Sequence, residues 1–265
     1  LIIEPYQIIV SQQASIYPYP ASNFNETTYK NTYIDGASIF WTPFGAMALP
    51  VAAEPMVLFF NRTLFSKNGI VAPPVYWDEL NQMVPALTKE DSNGNFIESG
   101  IALGTFSVPY MKDIVMAMVL QFGQVPILSQ YTNEGAVLYD VYINSPLSET
   151  SDVQPLTSIM RFLTAFSDPL KSTYSWNQFL GDASDSFVAE KLAMYIGYAG
   201  EYGVLKSRNP KMDLDVTYLP QTRDYNTFST GLRLYGIATM RQTRNPTAAF
   251  AAQSRLARSL ARRRP

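Results

Sequence analysis

The feature that most constrains the fold of this chain is the segment over residues 51–61, VAAEPMVLFFN. It is a near-continuous run of apolar, β-forming residues that is interrupted only by Glu54 and Pro55. Such a run predicts a buried strand, although a hydrophobic core rarely accepts a carboxylate. We therefore expect a strand that passes beneath a binding cleft, with Glu54 as its one acidic side chain.

The composition narrows the possible chemistry. Of the 265 residues, 47% are hydrophobic and 16% charged, so the chain can bury a sizeable core in one large domain or two lobes. It has no cysteine and no histidine, which excludes disulfides and thiol catalysis and removes the commonest general base. No apolar run is long enough to span a membrane. We expect no metal site and no cofactor.

The charge is unevenly distributed along the chain. All 22 acidic residues lie at or before Asp224, whereas residues 225–265 carry eight arginines and no acid. A basic end of this kind could bind nucleic acid or an anionic membrane surface. It follows a helix-like segment and contains no base-reading motif, and charge alone is weak support. We therefore expect no nucleic-acid partner.

The hydrophobic pattern predicts alternating strands and helices. Residues 91–95, DSNGN, predict a turn, because the spacing and the terminal glutamate of a calcium-binding loop are absent. The other predicted elements are a loop with short helical turns over residues 1–35, a hairpin over 38–53, a helix over 62–68 closed by Gly69, and helices over 110–122, 152–166 and 176–180.

A second informative segment covers residues 186–221. A polar turn precedes the strand-like LAMYI, a Gly-Tyr-Ala-Gly break follows, and then a helix through Leu205 and a strand ending at Pro220. This order predicts a β-loop-α-β unit. Residues 105–110, TFSVPY, place polar and aromatic groups at the end of another predicted strand, where open α/β sheets bind their ligands.

The successive segments VAAEPMVLFFN, RTLFSKNGI and PPVYWDEL, together with residues 186–221, resemble the extracellular solute-binding proteins of ATP-binding cassette importers. The likeness is to the maltose-binding-protein-like, sugar-binding members. In the second segment, Ala189 and Glu190 stand where that pattern has a small residue and glycine. The resemblance covers, with gaps, about residues 36–250.

The resemblance implies an α/β, two-lobe periplasmic-binding-protein type II fold with hinge-crossing strands and an incomplete first lobe. Residues 1–53 would form part of lobe 1, residues 54–223 would form lobe 2, and residues 224–265 would return into lobe 1 with a basic C-terminal helix. The return would fall near Thr227. By the same resemblance, the chain is truncated at both ends.

The resemblance also implies a function and a site. We expect a monomer outside the cytoplasm, lipid-anchored through a segment upstream of Leu1, that captures a small polar solute such as a sugar and delivers it to a membrane permease. No catalytic residue is expected. The ligand-binding candidates are Glu54, Ser107, Tyr110, Tyr198, Tyr202, Trp41, Arg233 and Tyr235.

Four of these candidates also have a structural interpretation. Glu54 could pair with a nearby Lys or Arg, and Arg233 with an Asp or Glu. Trp41 and Tyr110 could pack in the core. Two other functions remain open at this stage. One is a surface adhesion or scaffold fragment without a ligand, and the other is a secreted glycoside-acting hydrolase with Glu54 and Glu201 as its acid and base.

Overall fold

The computed structural model describes residues 1–20, 25–123, 127–131, 137–146, 154–223 and 228–262. The strands are β1 (Ile2–Pro5), β2 (Ile16–Tyr17), β3 (Trp41–Thr42), β4 (Gly45–Ala46), β5 (Leu49–Asn61), β6 (Lys89–Glu90), β7 (Phe96–Ile101), β8 (Ile127–Tyr131), β9 (Val137–Val141), β10 (Leu192–Tyr198), β11 (Leu214–Tyr218) and β12 (Leu232–Met240). The helices are α1 (Tyr6–Ser11), α2 (Glu26–Thr32), α3 (Arg62–Lys67), α4 (Leu80–Leu87), α5 (Met111–Gln121), α6 (Pro155–Thr164), α7 (Ala183–Val188), α8 (Tyr202–Arg208) and α9 (Pro246–Arg262).

These elements form two compact units. The discontinuous unit combines Leu1–Glu54 with Leu232–Pro265, and the central unit is Pro55–Gly231. The strand predicted over residues 51–61 is confirmed as β5, which begins in the discontinuous unit and ends in the central unit. The predicted return of the chain near Thr227 lies outside the described residues.

The discontinuous unit is organised around β12. This strand pairs antiparallel with β1, with Ile2 opposite Ala238, and with β2, with Ile16 opposite Met240. The prediction of loop and short helical turns over residues 1–35 was therefore wrong at β1. This strand is stabilised by a partner at the other end of the chain, which local sequence does not reveal.

The hairpin predicted over residues 38–53 is confirmed in a shorter form. Asp35–Phe40 is a 3-10 helix, and β3 and β4 contribute two residues each to the hairpin. Gly45 has φ +113°, and a Cβ there would lie 2.5 Å from the carbonyl oxygen of Tyr19. Only glycine fits that combination of backbone conformation and close approach.

The C-terminal helix is confirmed as α9, and it packs against β12. Gln253 on α9 is buried, its Nε2 donates to the carbonyl oxygen of Ile237 at 2.8 Å, and its Oε1 accepts from the Thr239 hydroxyl at 2.8 Å. A buried amide with both ends bonded fixes the helix on the strand. The predicted basic helix is thus part of the discontinuous unit.

The sheet of the central unit has the order β11-β5-β10-β7-β6. β10 pairs antiparallel with β5 and parallel with β7. Every residue of β10 is buried, as expected of a strand covered on both faces. The β-loop-α-β unit predicted over residues 186–221 is confirmed as β10, α8 and β11.

The short helix α3 is also confirmed, together with the signals that predict its ends. The buried Asn61 caps its start by accepting a hydrogen bond from the Leu64 amide at 3.1 Å, and Gly69 has φ +70° after its end. The other end of Asn61 donates to the Glu190 carboxylate at 3.2 Å. Glu190 has φ +59°, so a non-glycine residue adopts a left-handed conformation where the family pattern has glycine.

The turn over residues 91–95 is confirmed. One oxygen of the Asp91 carboxylate accepts hydrogen bonds from the amides of Asn93 and Asn95, and these bonds lower the pKa of Asp91.

The β8–β9 hairpin was not predicted. Across the described residues, no helix is both long enough and apolar enough to cross a bilayer.

A buried glutamine stabilises the central unit at the end of α5. Gln121 is 1% exposed. Its Oε1 accepts from the indole N–H of Trp77 at 2.7 Å, and its Nε2 donates to the carbonyl oxygens of Pro220 and Ser229. Both the oxygen and the nitrogen of the amide are therefore hydrogen-bonded. The amide joins α5 to Pro220 and Ser229, which precede the end of the central unit at Gly231.

We expect Gln121→Met to lower the free energy of unfolding by about 3 kcal/mol, because it removes the acceptor of the buried Trp77 N–H and a donor to the carbonyl oxygens of Pro220 and Ser229. Urea unfolding of the whole chain measures this loss. The matched control is Gln82→Met on the exposed face of α4, which we expect to change stability by less than about 0.5 kcal/mol. Equal stabilities of the two variants would contradict the structural role of Gln121.

Candidate functional site

The candidate site in the central unit is built around the end of β10. Tyr198 is the last residue of this strand and lies opposite Met56 of β5. Its amide donates to Glu201 Oε1 at 2.7 Å, and its hydroxyl donates to Asp113 Oδ2 at 3.1 Å. The ring is only 5% exposed. Tyr198 is therefore held at both its backbone and its hydroxyl, and it presents little open surface.

Tyr110 lies against Tyr198 and is more accessible. It immediately precedes α5, has φ +59° and is half-buried. Its ring meets that of Tyr198 edge-on, with centroids 5.0 Å apart. This T-shaped contact is a favourable aromatic geometry and fixes the orientation of the Tyr110 ring.

Tyr110 is preceded by a polar loop. Ser107 is exposed, and its hydroxyl lies 2.9 Å from that of Thr105, so the two form a hydrogen bond. Phe106 between them is 91% exposed. The loop therefore presents two hydroxyl groups and a free aromatic face beside Tyr110, which suits a ligand with both hydroxyls and apolar ring faces.

The Glu201 carboxylate also binds a second side chain of β10. Its second oxygen accepts from the Tyr195 hydroxyl at 2.8 Å. Burial of the ring, and secondarily the Glu201 carboxylate, raises the pKa of Tyr195, so this hydroxyl remains a protonated donor. Tyr202, the first residue of α8, follows Glu201 directly and is 42% exposed.

The discontinuous unit contributes a separate charged pair. Glu54 lies on β5 and Arg233 on β12, with 3.8 Å between Oε2 and Nη1. Their side chains are 31% and 26% exposed. At this distance the ions attract each other without a close hydrogen bond, so the Glu54 carboxylate retains capacity to accept hydrogen bonds from a ligand.

The two aromatic candidates of the discontinuous unit are partly buried. Trp41 packs on the core, with its ring 5.3 Å from that of Tyr29. Tyr235 lies on β12 opposite Pro5. The structure thus brings Ser107, Tyr110 and Tyr198 to one end of the central sheet. Glu54 and Arg233 form an ion pair, and Trp41 belongs to the core packing.

Sequence reasoning missed two residues that shape the site. Asp113 holds the Tyr198 hydroxyl. From the sequence, an acidic residue in the first turn of a helix is explained by the helix dipole alone. Phe106 lies in the TFSVPY segment over residues 105–110, from which only Ser107 and Tyr110 were predicted to bind the ligand. Among the described residues, no group of three or more acidic side chains lies close enough together to hold a metal ion.

A family model of bacterial extracellular solute-binding proteins matches residues 10–253. The chain therefore belongs to that family, as its sequence signatures indicated. No curated protein sequence matches it. The family is one of binding proteins, and its description places its members outside the cell.

Solved structures of substrate-binding proteins share the fold. A substrate-binding protein from Listeria monocytogenes in complex with cycloalternan has a TM-score of 0.67 at 14% identity and covers 96% of this chain. The maltotriose-binding protein of Thermus thermophilus has a TM-score of 0.62 at 18% sequence identity, and the match covers 98% of this chain. UgpB of Mycobacterium tuberculosis, bound to glycerophosphocholine, has a TM-score of 0.65 at 12% sequence identity, and the match covers 97% of this chain.

The chain spans 60%, 63% and 58% of these three structures respectively. At such identities the likeness shows the fold alone, and it confirms the predicted α/β, two-lobe periplasmic-binding-protein class. The binding of a particular solute by this chain does not follow from it.

Gly197 is required for the support of Tyr198. A Cβ at this position would lie 2.7 Å from Glu201 Oε1 and 2.8 Å from Tyr195 Cε1. We expect Gly197→Ala to cost about 1–3 kcal/mol of unfolding free energy, because either the buried ring or the bonded carboxylate must move. Urea unfolding monitored by tryptophan fluorescence gives the value.

Gly203 on α8 is the matched control, since a Cβ there meets nothing within 4 Å. Gly203→Ala should raise stability by about 0.5–1 kcal/mol, as alanine favours a helix over glycine. If Gly197→Ala were as stable as Gly203→Ala, the tight packing around Glu201 would be refuted.

Proposed function

We propose that this protein captures a small polar solute, a sugar or oligosaccharide, for an ATP-binding cassette importer, and that its two units are the two lobes of the capturing protein. The observation that carries the proposal is the set of aromatic and hydroxyl groups at the end of β7 and β10. Tyr110, Ser107 and the exposed Phe106 combine ring faces with hydrogen-bonding groups in one loop.

We propose that the Glu54–Arg233 pair supplies polar contacts from the discontinuous unit. A carboxylate acceptor can bind sugar hydroxyls, and the guanidinium can donate to hydroxyl or carboxylate oxygens. The two charges largely compensate each other, which suits an uncharged ligand better than an ionic one. Tyr202 and Tyr235 are proposed as peripheral contacts and Trp41 as a supporting residue.

We propose binding without chemistry. The alternative hydrolase would need Glu201 as an acid or base. Its two carboxylate oxygens already accept hydrogen bonds from the Tyr198 amide and the Tyr195 hydroxyl. A carboxylate held by two protein donors serves to position the β10–α8 connection, so it is a poor candidate for proton transfer to a ligand.

The partner and location follow from the same proposal. Solute-binding proteins of importers act outside the cytoplasm and pass the solute to a membrane permease, and we propose both for this protein, with a lipid anchor on a segment upstream of Leu1. The structures that share its fold carry cycloalternan and maltotriose, which makes oligosaccharides the first ligands to test.

Isothermal titration of the protein with a panel of oligosaccharides tests the proposal, with maltotriose first. Saturable binding without release of shorter sugars would support solute capture. Hydrolysis products would favour the hydrolase. If no sugar in the panel binds, the adhesion or scaffold alternative replaces the proposal.

For the sugar identified in this titration, Glu54→Ala should weaken the affinity about tenfold or more. A hydrogen bond to a charged acceptor contributes about 1.5–3 kcal/mol. The control is Glu26→Ala, which removes an exposed glutamate of the same unit that pairs with Lys30 on α2. Unchanged affinity in Glu54→Ala, with the fold intact by circular dichroism, would remove Glu54 from the site.

A further inference from the structure

The central unit contains a recess at the end of its sheet opposite Tyr198. The recess has a volume of about 320 Å³. It lies where β7 and β10 begin, whereas Tyr198 ends β10, so the length of that strand, about 20 Å, separates the two places. The residues that line it and matter here are Phe96, Trp176, Phe179, Leu180, Asp185 and Lys191.

Two hydrogen-bond donors of this recess have no acceptor among the described residues. Trp176 is 1% exposed, and its indole Nε1–H makes no hydrogen bond. A buried N–H without a partner is unfavourable and uncommon in native structures. Lys191 is exposed, and within the described part of the chain no acidic group lies within ion-pair distance of its ammonium.

The other polar groups of the recess are already engaged. The Asp185 carboxylate pairs with Arg208 at 2.6 Å. The Ser99 hydroxyl donates to the carbonyl oxygen of Ser175, and the Ser186 hydroxyl donates to that of Leu180 at 3.2 Å. What remains is an indole N–H and an ammonium, so a complementary ligand must supply acceptor oxygens and negative charge.

The walls of the recess are apolar and partly uncovered. Phe179 is 86% exposed and Ile97 is 55% exposed. Phe96 packs against Tyr174, with ring centroids 4.9 Å apart. Exposed aromatic and aliphatic side chains beside unpaired donors favour a ligand with an apolar body. The volume is at the lower end for small-molecule sites, so that body is no larger than about one ring with a short side chain.

We propose that this recess binds a small carboxylate with an aromatic or branched apolar body. The carboxylate pairs with Lys191 and accepts from Trp176 Nε1–H, and the apolar body lies on Phe179 and Ile97. The indole nitrogen is covered in the structure, and the proposal includes that the turn Gln178–Leu180, two of whose residues line the recess, moves aside when the ligand enters. Gly181 follows this turn directly and has a φ of +75°, a conformation that glycine adopts without strain.

Isothermal titration of the whole protein with phenylacetate tests the proposal, with phenylacetamide as the neutral analogue. We expect phenylacetate to saturate one site and the amide to bind about tenfold more weakly, because it lacks the charge. Lys191→Met should reduce phenylacetate binding to the level of the amide. The control Lys211→Met removes an exposed lysine outside the recess and should leave binding unchanged.

Trp176→Phe keeps an aromatic ring but removes the unpaired N–H. The smaller ring leaves a cavity that lowers the unfolding midpoint, so binding is measured on protein shown to be folded by circular dichroism. There we expect about tenfold weaker phenylacetate binding. Tyr110→Ala, at the other end of β10, should not affect phenylacetate. The absence of saturable binding, equal affinity for the amide, or wild-type affinity in both Trp176→Phe and Lys191→Met would overturn the proposal.

Discussion

The central unit depends on the backbone pairing around Met56 of β5. Here β10 is paired through Tyr198 opposite Met56, and β11 through Tyr218 opposite Val57. The Met56 amide also donates to the carbonyl oxygen of Gly231 at 2.7 Å. These bonds fix separate parts of the chain near the middle of β5. The position of Tyr198, and with it that of Tyr110, follows from this arrangement.

The tyrosines at this end are held by polar contacts that leave little freedom. Glu201 accepts from the Tyr198 amide and the Tyr195 hydroxyl, Asp113 accepts from the Tyr198 hydroxyl, and the Tyr110 ring packs edge-on against Tyr198. A ligand that meets Tyr110 and Ser107 therefore meets a surface already ordered by the protein. Binding then costs less conformational entropy than it would on a mobile loop.

Sequence reasoning succeeded where the signals are local. The apolar run of β5, the Asn61 cap with Gly69 around α3, and the β10–α8 segment each contain their own start and stop residues. It failed for β1, which is stabilised by β12 at the far end of the chain. An ion pair was open for Glu54 and for Arg233 separately. That the two pair with each other depends on how the structure places β5 and β12, which neither sequence segment reveals.

Hydrogen–deuterium exchange with and without a saturating oligosaccharide tests the central claim most directly. If the end of β10 and the loop before α5 bind the solute, backbone exchange should slow over residues 104–113 and 198–205. The segment 178–189, which borders the separate recess, should be unaffected. A sugar that binds saturably while exchange over residues 104–113 and 198–205 stays unchanged would contradict this account of the site.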